Sequence, residues 1–180
     1  MLATVAAILQ RALEWFIIFL MVVLTVVVIV AVMFRLGGSS LSWYDEIAAI
    51  ILAWITYYGA ALAALKRRHI GFDTVLLSLP VRTRMIGVAF AEVVTIGFFV
   101  LLAWAGWKVL LVLQGMSLVS ITWMPVQVTQ SVIPIGAILF VICQLLSLPN
   151  YWRKTAQGIS LEHAEIEDEV ETEMRKAGTA

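Results

Sequence analysis

Charge is scarce in this chain. Only 13% of its 180 residues are charged and 62% are hydrophobic, whereas a soluble domain carries about 25% charged and about 45–50% apolar residues. Between Lys108 and Arg153 there is no charged residue at all. A water-soluble fold of this size cannot hide so much apolar helix surface, which excludes a soluble globular domain. Cysteine is nearly absent too. Cys143 stands alone in an apolar stretch, which excludes an internal disulfide and fits a packing role. The two histidines, His69 and His163, lie outside the apolar runs, which excludes a haem held by axial histidines inside a helical bundle. No Cys/His metal spacing, phosphate-binding P-loop, GxSxG or glycine-rich dinucleotide turn is present. No cofactor, metal or catalytic site is therefore expected. The chain does not read as an enzyme, and nothing in it calls for nucleic acid.

What is abundant is long apolar sequence. About 20 apolar residues, at ~1.5 Å each, cross a ~30 Å hydrocarbon layer. Four stretches meet that test, at about 15–34, 47–65, 86–113 and 126–149. The first runs uncharged from Trp15 to Phe34, too long for a cleavable signal peptide and long enough to span. The fold class that follows is an all-α integral membrane protein with four transmembrane helices. Residues 1–155 form the membrane domain and 156–180 an acidic cytoplasmic tail, in which 162–180 hold seven acids against Arg175 and Lys176. Gln114–Pro125 reads as a loop or re-entrant turn.

Orientation follows from lysine and arginine. With the N-terminus inside, ten of the twelve basic residues are cytoplasmic and only Arg35 and Lys108 lie outside. The tryptophans agree: all but Trp54 fall near one of the two interfaces. The predicted topology is N-in, C-in. Leu2, Val5, Ile8, Leu9 and Ala12 have the spacing of a short surface helix, as do Ile70, Phe72, Val75, Leu76 and Leu79 before Pro80. Basic residues flank this second set, so anionic membrane lipid is an expected partner. A helix over Ser160–Ala177 is predicted for the tail.

Glu92 is the one ionisable residue well inside a span. A charge there costs several kcal/mol unless it is paired, protonated or hydrated. It reads either as a proton- or cation-coupling carboxylate or as a structural acid reaching water, Arg84 or a partner subunit. The second span is rich in small residues, among them Ala49, Ala53, Gly59 and Ala63. Such faces allow close helix approach, within the chain or onto another subunit. Pro134 and Gly136 predict a kinked fourth span, with Gln127, Thr129, Gln130 and Ser131 near enough to satisfy the carbonyl that is freed.

Three clusters together resemble one family. They are Trp43-Tyr44-Asp45-Glu46 with Gly59-Ala60-Ala61, then His69-Ile70-x-Phe72-Asp73 followed by Pro80, and finally Trp123-Met124-Pro125 with Pro134-Ile135-Gly136. In order and spacing they resemble the small membrane subunit, the DctQ-type component, of tripartite ATP-independent periplasmic (TRAP) transporters. The resemblance implies a scaffold beside a large multi-span membrane subunit of elevator type. A periplasmic binding protein would deliver a carboxylate or related organic acid, and an ion gradient, commonly sodium, would drive its uptake. It implies architectural roles for Trp43, Asp45, Glu46, Gly59, His69, Asp73, Pro125, Pro134 and Gly136. The acidic tail beyond Ser160 is not expected of that family. A different reading is a small proton-coupled exporter that uses Glu92.

Overall fold

In the computed structural model, which describes residues 2–67 and 80–157, the described residues form helices joined by turns, with one isolated bridge between Ser117 and Pro125. Helix α1 spans Leu2–Leu36, α2 Tyr44–Lys66, α3 Val81–Val112, α4 Val126–Gln130 and α5 Val132–Gln157. Taking α4 and α5 as one span, four helical spans are long and apolar enough to cross a membrane. The stretch over residues 2–12 is no separate surface helix. It forms the first turns of α1, whose 35 residues contain neither glycine nor proline and so run unbroken. The second predicted surface helix and the tail helix, at 70–79 and 160–177, lie outside the described residues.

Helix ends follow local chemistry. Gly38 at φ 82° and Gly115 at φ 81° take the left-handed turns that end α1 and follow α3, where a side chain would be strained. Proline at 80 precedes α3, and its carbonyl accepts the Arg84 N–H at 3.0 Å. The fourth span is broken rather than kinked at its proline. The chain interrupts at Ser131 between α4 and α5, which leaves Pro134 in the first turn of α5. There its missing N–H removes no intrahelical bond. The helix also runs through Pro149 to Gln157, past the predicted end of the span.

The helices stand in a row, in the order α1, α2, α5, α3. Helix α5 packs against both α2 and α3, while α1 packs on α2 and only grazes α5. The fourth span is accordingly the most enclosed, with 39% of its most apolar window buried against 11% in each of the others. Leu13, Ala61, Ala64, Phe140 and Cys143 form the core. Phe99 and Phe140 stack at 3.6 Å between centroids, joining α3 to α5, and Phe16 meets Tyr58 edge-on across α1 and α2. Glu14 and Lys66, 2.6 Å apart, level α1 with the end of α2. An Arg84 Nη1 bond to the Thr155 carbonyl, 3.0 Å, levels the start of α3 with the end of α5. The start of α1, the end of α2, the start of α3 and the end of α5 therefore lie at one end of the bundle, the Arg67 end. The other is marked by Glu46.

Candidate functional site

The main polar cluster is built on Arg67, the residue that terminates α2. Its φ of 54° is left-handed, and its N–H closes back on the carbonyls of Ala63 and Ala64. A non-glycine residue in that conformation costs of order 1–3 kcal/mol and persists only where its surroundings over-determine it. Here they do. The turn sends the guanidinium back into the helix row, where Nη1 donates to Glu92 Oε1, Nε to Ser147 Oγ at 2.7 Å and Nη2 to the Gln144 carbonyl at 3.0 Å. Its flat face lies 4.5 Å from the Tyr151 ring centroid, a cation–π contact. Gln144 Nε2 donates to the second Glu92 oxygen at 2.8 Å, and the Ser147 hydroxyl reaches the Ala64 carbonyl at 3.1 Å. Both side chains of the ion pair are only 10% exposed. The cluster thus ties α2, α3 and α5 together, with one charge neutralising the other in place of water.

Glu92 therefore meets Arg67, not Arg84. Its two oxygens are occupied by an arginine and an amide, so the carboxyl group is bonded on both sides by this chain. Arg67 was hidden in the sequence because it belongs to the run Lys66-Arg67-Arg68, which reads as a solvated basic turn. Its left-handed cap, which turns the side chain inward, is visible only in the structure. Gln144, Ser147 and Tyr151 gave a fainter signal. At i, i+3 and i+7 they are polar or aromatic residues on one face of an apolar helix.

A second set lies where α5 begins. A Cβ on Gly136 would stand 2.7 Å from Tyr57 Cβ, so α2 approaches α5 as closely as a glycine allows. A Cβ on Gly106 would meet Pro134 Cδ and Ile133 Cγ2 at 3.0 Å, so Pro134 is the surface on which α3 rests. Pro134 and Gly136 thus seat α5 between its two neighbours. Gly59 behaves differently, with nothing within 4 Å of an added Cβ. The small residues packed inside the chain are Ala61 and Ala64, both fully buried. The stripe of Ala49, Leu52, Thr56, Gly59 and Ala63 faces outward or is only half-covered. At the break itself, the Thr129 carbonyl accepts the Trp54 indole N–H at 3.2 Å. Trp54, the single mid-span tryptophan, thereby supplies a donor that the sequence assigned to polar neighbours of α4.

At the opposite end, Glu46 in the first turn of α2 accepts the N–H groups of Val119 and Ser120 at 3.2 and 2.9 Å. The Ser120 hydroxyl donates to the Ser42 carbonyl at 3.0 Å. Asp45 stands exposed in the same first turn, where a negative charge suits the helix dipole. Trp43 sits at the helix start without capping it through its side chain, and Pro125 opens α4 while bridging to Ser117. His69 and Asp73 lie outside the described residues.

The first and third sequence clusters thus fall at places where helices are joined, and the second lies outside the described residues apart from Pro80. A sequence profile of the DctQ component of tripartite ATP-independent periplasmic transporters matches residues 24–154. The chain belongs to the DctQ family. The match starts within α1 and ends near the last turn of α5, so the Arg67–Glu92 pair, the Pro134–Gly136 seat and the Glu46 clamp all fall within the matched residues. DctQ proteins are transporter components, not an enzyme family, and this one is a small membrane subunit of a TRAP transporter with four helical spans. A comparison with curated proteins finds no significant match.

Proposed function

We propose that this DctQ chain is a scaffold that holds a large elevator-type membrane subunit in place and binds no substrate itself. The observation that carries the reading is the closure of the Arg67–Glu92 cluster. The ionisable group most deeply placed in a span has both oxygens engaged by this chain's own α2 and α5. A coupling carboxylate must exchange its ion during each cycle, whereas this one ties helices together. The row of helices supports the same reading, because it exposes broad apolar faces on α1 and α3 that a neighbouring membrane protein or lipid covers.

Within this proposal the large subunit transports a carboxylate or related organic acid delivered by a periplasmic binding protein, driven by an ion gradient, most commonly sodium. The Arg67 end faces the cytoplasm, since it gathers Arg11, Lys66, Arg82, Arg84, Arg153 and Lys154. Both chain ends then lie on the cytoplasmic side of a bacterial inner membrane. His69 and Asp73 order the cytoplasmic turn between α2 and α3.

The test is purification of the tagged chain from its host in mild detergent, with mass spectrometry of what accompanies it. A stoichiometric multi-span partner is expected. A homo-oligomer without that partner, whose transport is abolished by Glu92→Gln, would replace the scaffold with a small proton-coupled exporter.

A further inference from the structure

The connection between α3 and α4 is built unlike a water-exposed loop. No charged residue occurs from Val109 to Trp152, so the whole turn is uncharged. Its large side chains point outward: Val119 is 88% exposed, Trp123 82% and Met116 54%. Water would penalise that display, and an apolar surface would favour it.

The backbone is prepared for a dry setting. Met116 N–H donates to the Leu113 carbonyl, Leu118 to Met124, Met124 to Ile121 and Val126 to Met116, at 3.0–3.2 Å. Val119 and Ser120 donate to the two Glu46 oxygens. Irregular backbone survives at membrane depth only when its polar groups find such partners. Here the Glu46 carboxylate takes the place that solvent would hold in an ordinary loop.

The level is right as well. Glu46 and Lys66 are separated by roughly 20 residues of one helix, or ~30 Å, which is the thickness of the hydrocarbon layer. Glu14 and Arg35 on α1 are spaced almost identically, and Glu14 is bonded to Lys66. Glu46 therefore marks the boundary between hydrocarbon and headgroups, and the turn pinned to it lies at that boundary.

We propose that residues 113–125 form a lipid-seated hook. Val119 and Trp123 insert into the headgroup–acyl boundary of the adjoining leaflet, and Glu46 keeps the turn rigid by satisfying its backbone. The occupant is lipid rather than another protein, because an indole at this level, in a turn that carries no charged residue of its own, matches the interfacial layer.

The experiment places an environment-sensitive fluorophore on Val119→Cys of the full chain, leaving Cys143 in place because it is fully buried. Ser40→Cys, in the exposed α1–α2 connection at the same end, serves as the aqueous control. Both are reconstituted in phosphatidylcholine/phosphatidylglycerol vesicles, with and without lipids brominated near the headgroup, alone and in the assembled transporter. The expected result is blue-shifted emission at 119, quenched by brominated lipid in both settings, with water-like and unquenched emission at 40. Adding Glu46→Ala should move the 119 emission toward red. Water-like emission at 119 would overturn the proposal. So would blue-shifted emission in the assembled transporter that bromine does not quench, since a protein would then cover the hook.

Discussion

Arg67, one residue past the end of α2, and Glu92, three turns into α3, form an ion pair that joins two helices otherwise held together chiefly through α5. Every other contact in the cluster follows from that meeting: Gln144 takes the free carboxylate oxygen, Ser147 the guanidinium Nε, and Tyr151 its face.

Breaking the pair from one side strands a buried charge. Arg67→Met and Glu92→Leu should each lower the thermal midpoint of the purified chain in detergent, with a cost of about 3–5 kcal/mol where such pairs have been cut in protein interiors. The double substitution should cost clearly less than the two added together. Additive losses would show that the charges do not act as a unit.

The two glycines should respond oppositely. Gly136→Val forces a methyl-bearing carbon against Tyr57, and overpacking of this kind costs ~1–3 kcal/mol; Tyr57→Ala in the same background should recover part of it. Gly59→Ala, placed in open space, should leave the isolated chain unchanged or raise its stability by about 0.5–1 kcal/mol through helix propensity. Unfolding midpoints of the three variants decide this.

Trp54→Phe keeps the ring and removes the donor to the Thr129 carbonyl. A loss of about 0.5–1.5 kcal/mol is expected, together with faster amide hydrogen exchange in α4 and the first turn of α5. Exchange that rises elsewhere instead would argue that the bond does not hold the break.

Glu46→Ala should release the N–H groups of Val119 and Ser120 and leave the inner cluster intact. Hydrogen exchange should accelerate over 116–126 with no change around Gln144, whereas Arg67→Met should do the reverse. The two ends of the molecule are far enough apart for their effects to be independent.

Cys143 is fully buried in the core. A thiol reagent should label it slowly in the folded chain and completely once the chain is denatured, so its labelling rate reports global opening in all these variants. Rapid labelling of the folded protein would place it outside the core.

How much could be read beforehand differs by level. The spans are carried by runs of apolar residues longer than a bilayer is thick, a one-dimensional signal that survives without any knowledge of packing. Glu92 stood out for the same reason, since one charge in an apolar run has no local explanation. Pro134 and Gly136 were visible as an anomaly. Their effect was misplaced by several residues, because the break fell at Ser131, where the helix ends ahead of the proline. Gly59 and Gly136 look alike in sequence, yet only one meets a neighbour.

The sequence alone determined that the chain carries four stretches long and apolar enough to cross a membrane, because that property depends on composition and length. The tertiary structure alone decided that Arg67 turns inward to meet Glu92, which glycine faces another helix and what holds the uncharged turn. Each of these is a choice of direction about a helix axis. Neighbouring helices impose that choice, since lipid, as apolar as the side chains it bathes, gives no preference of its own.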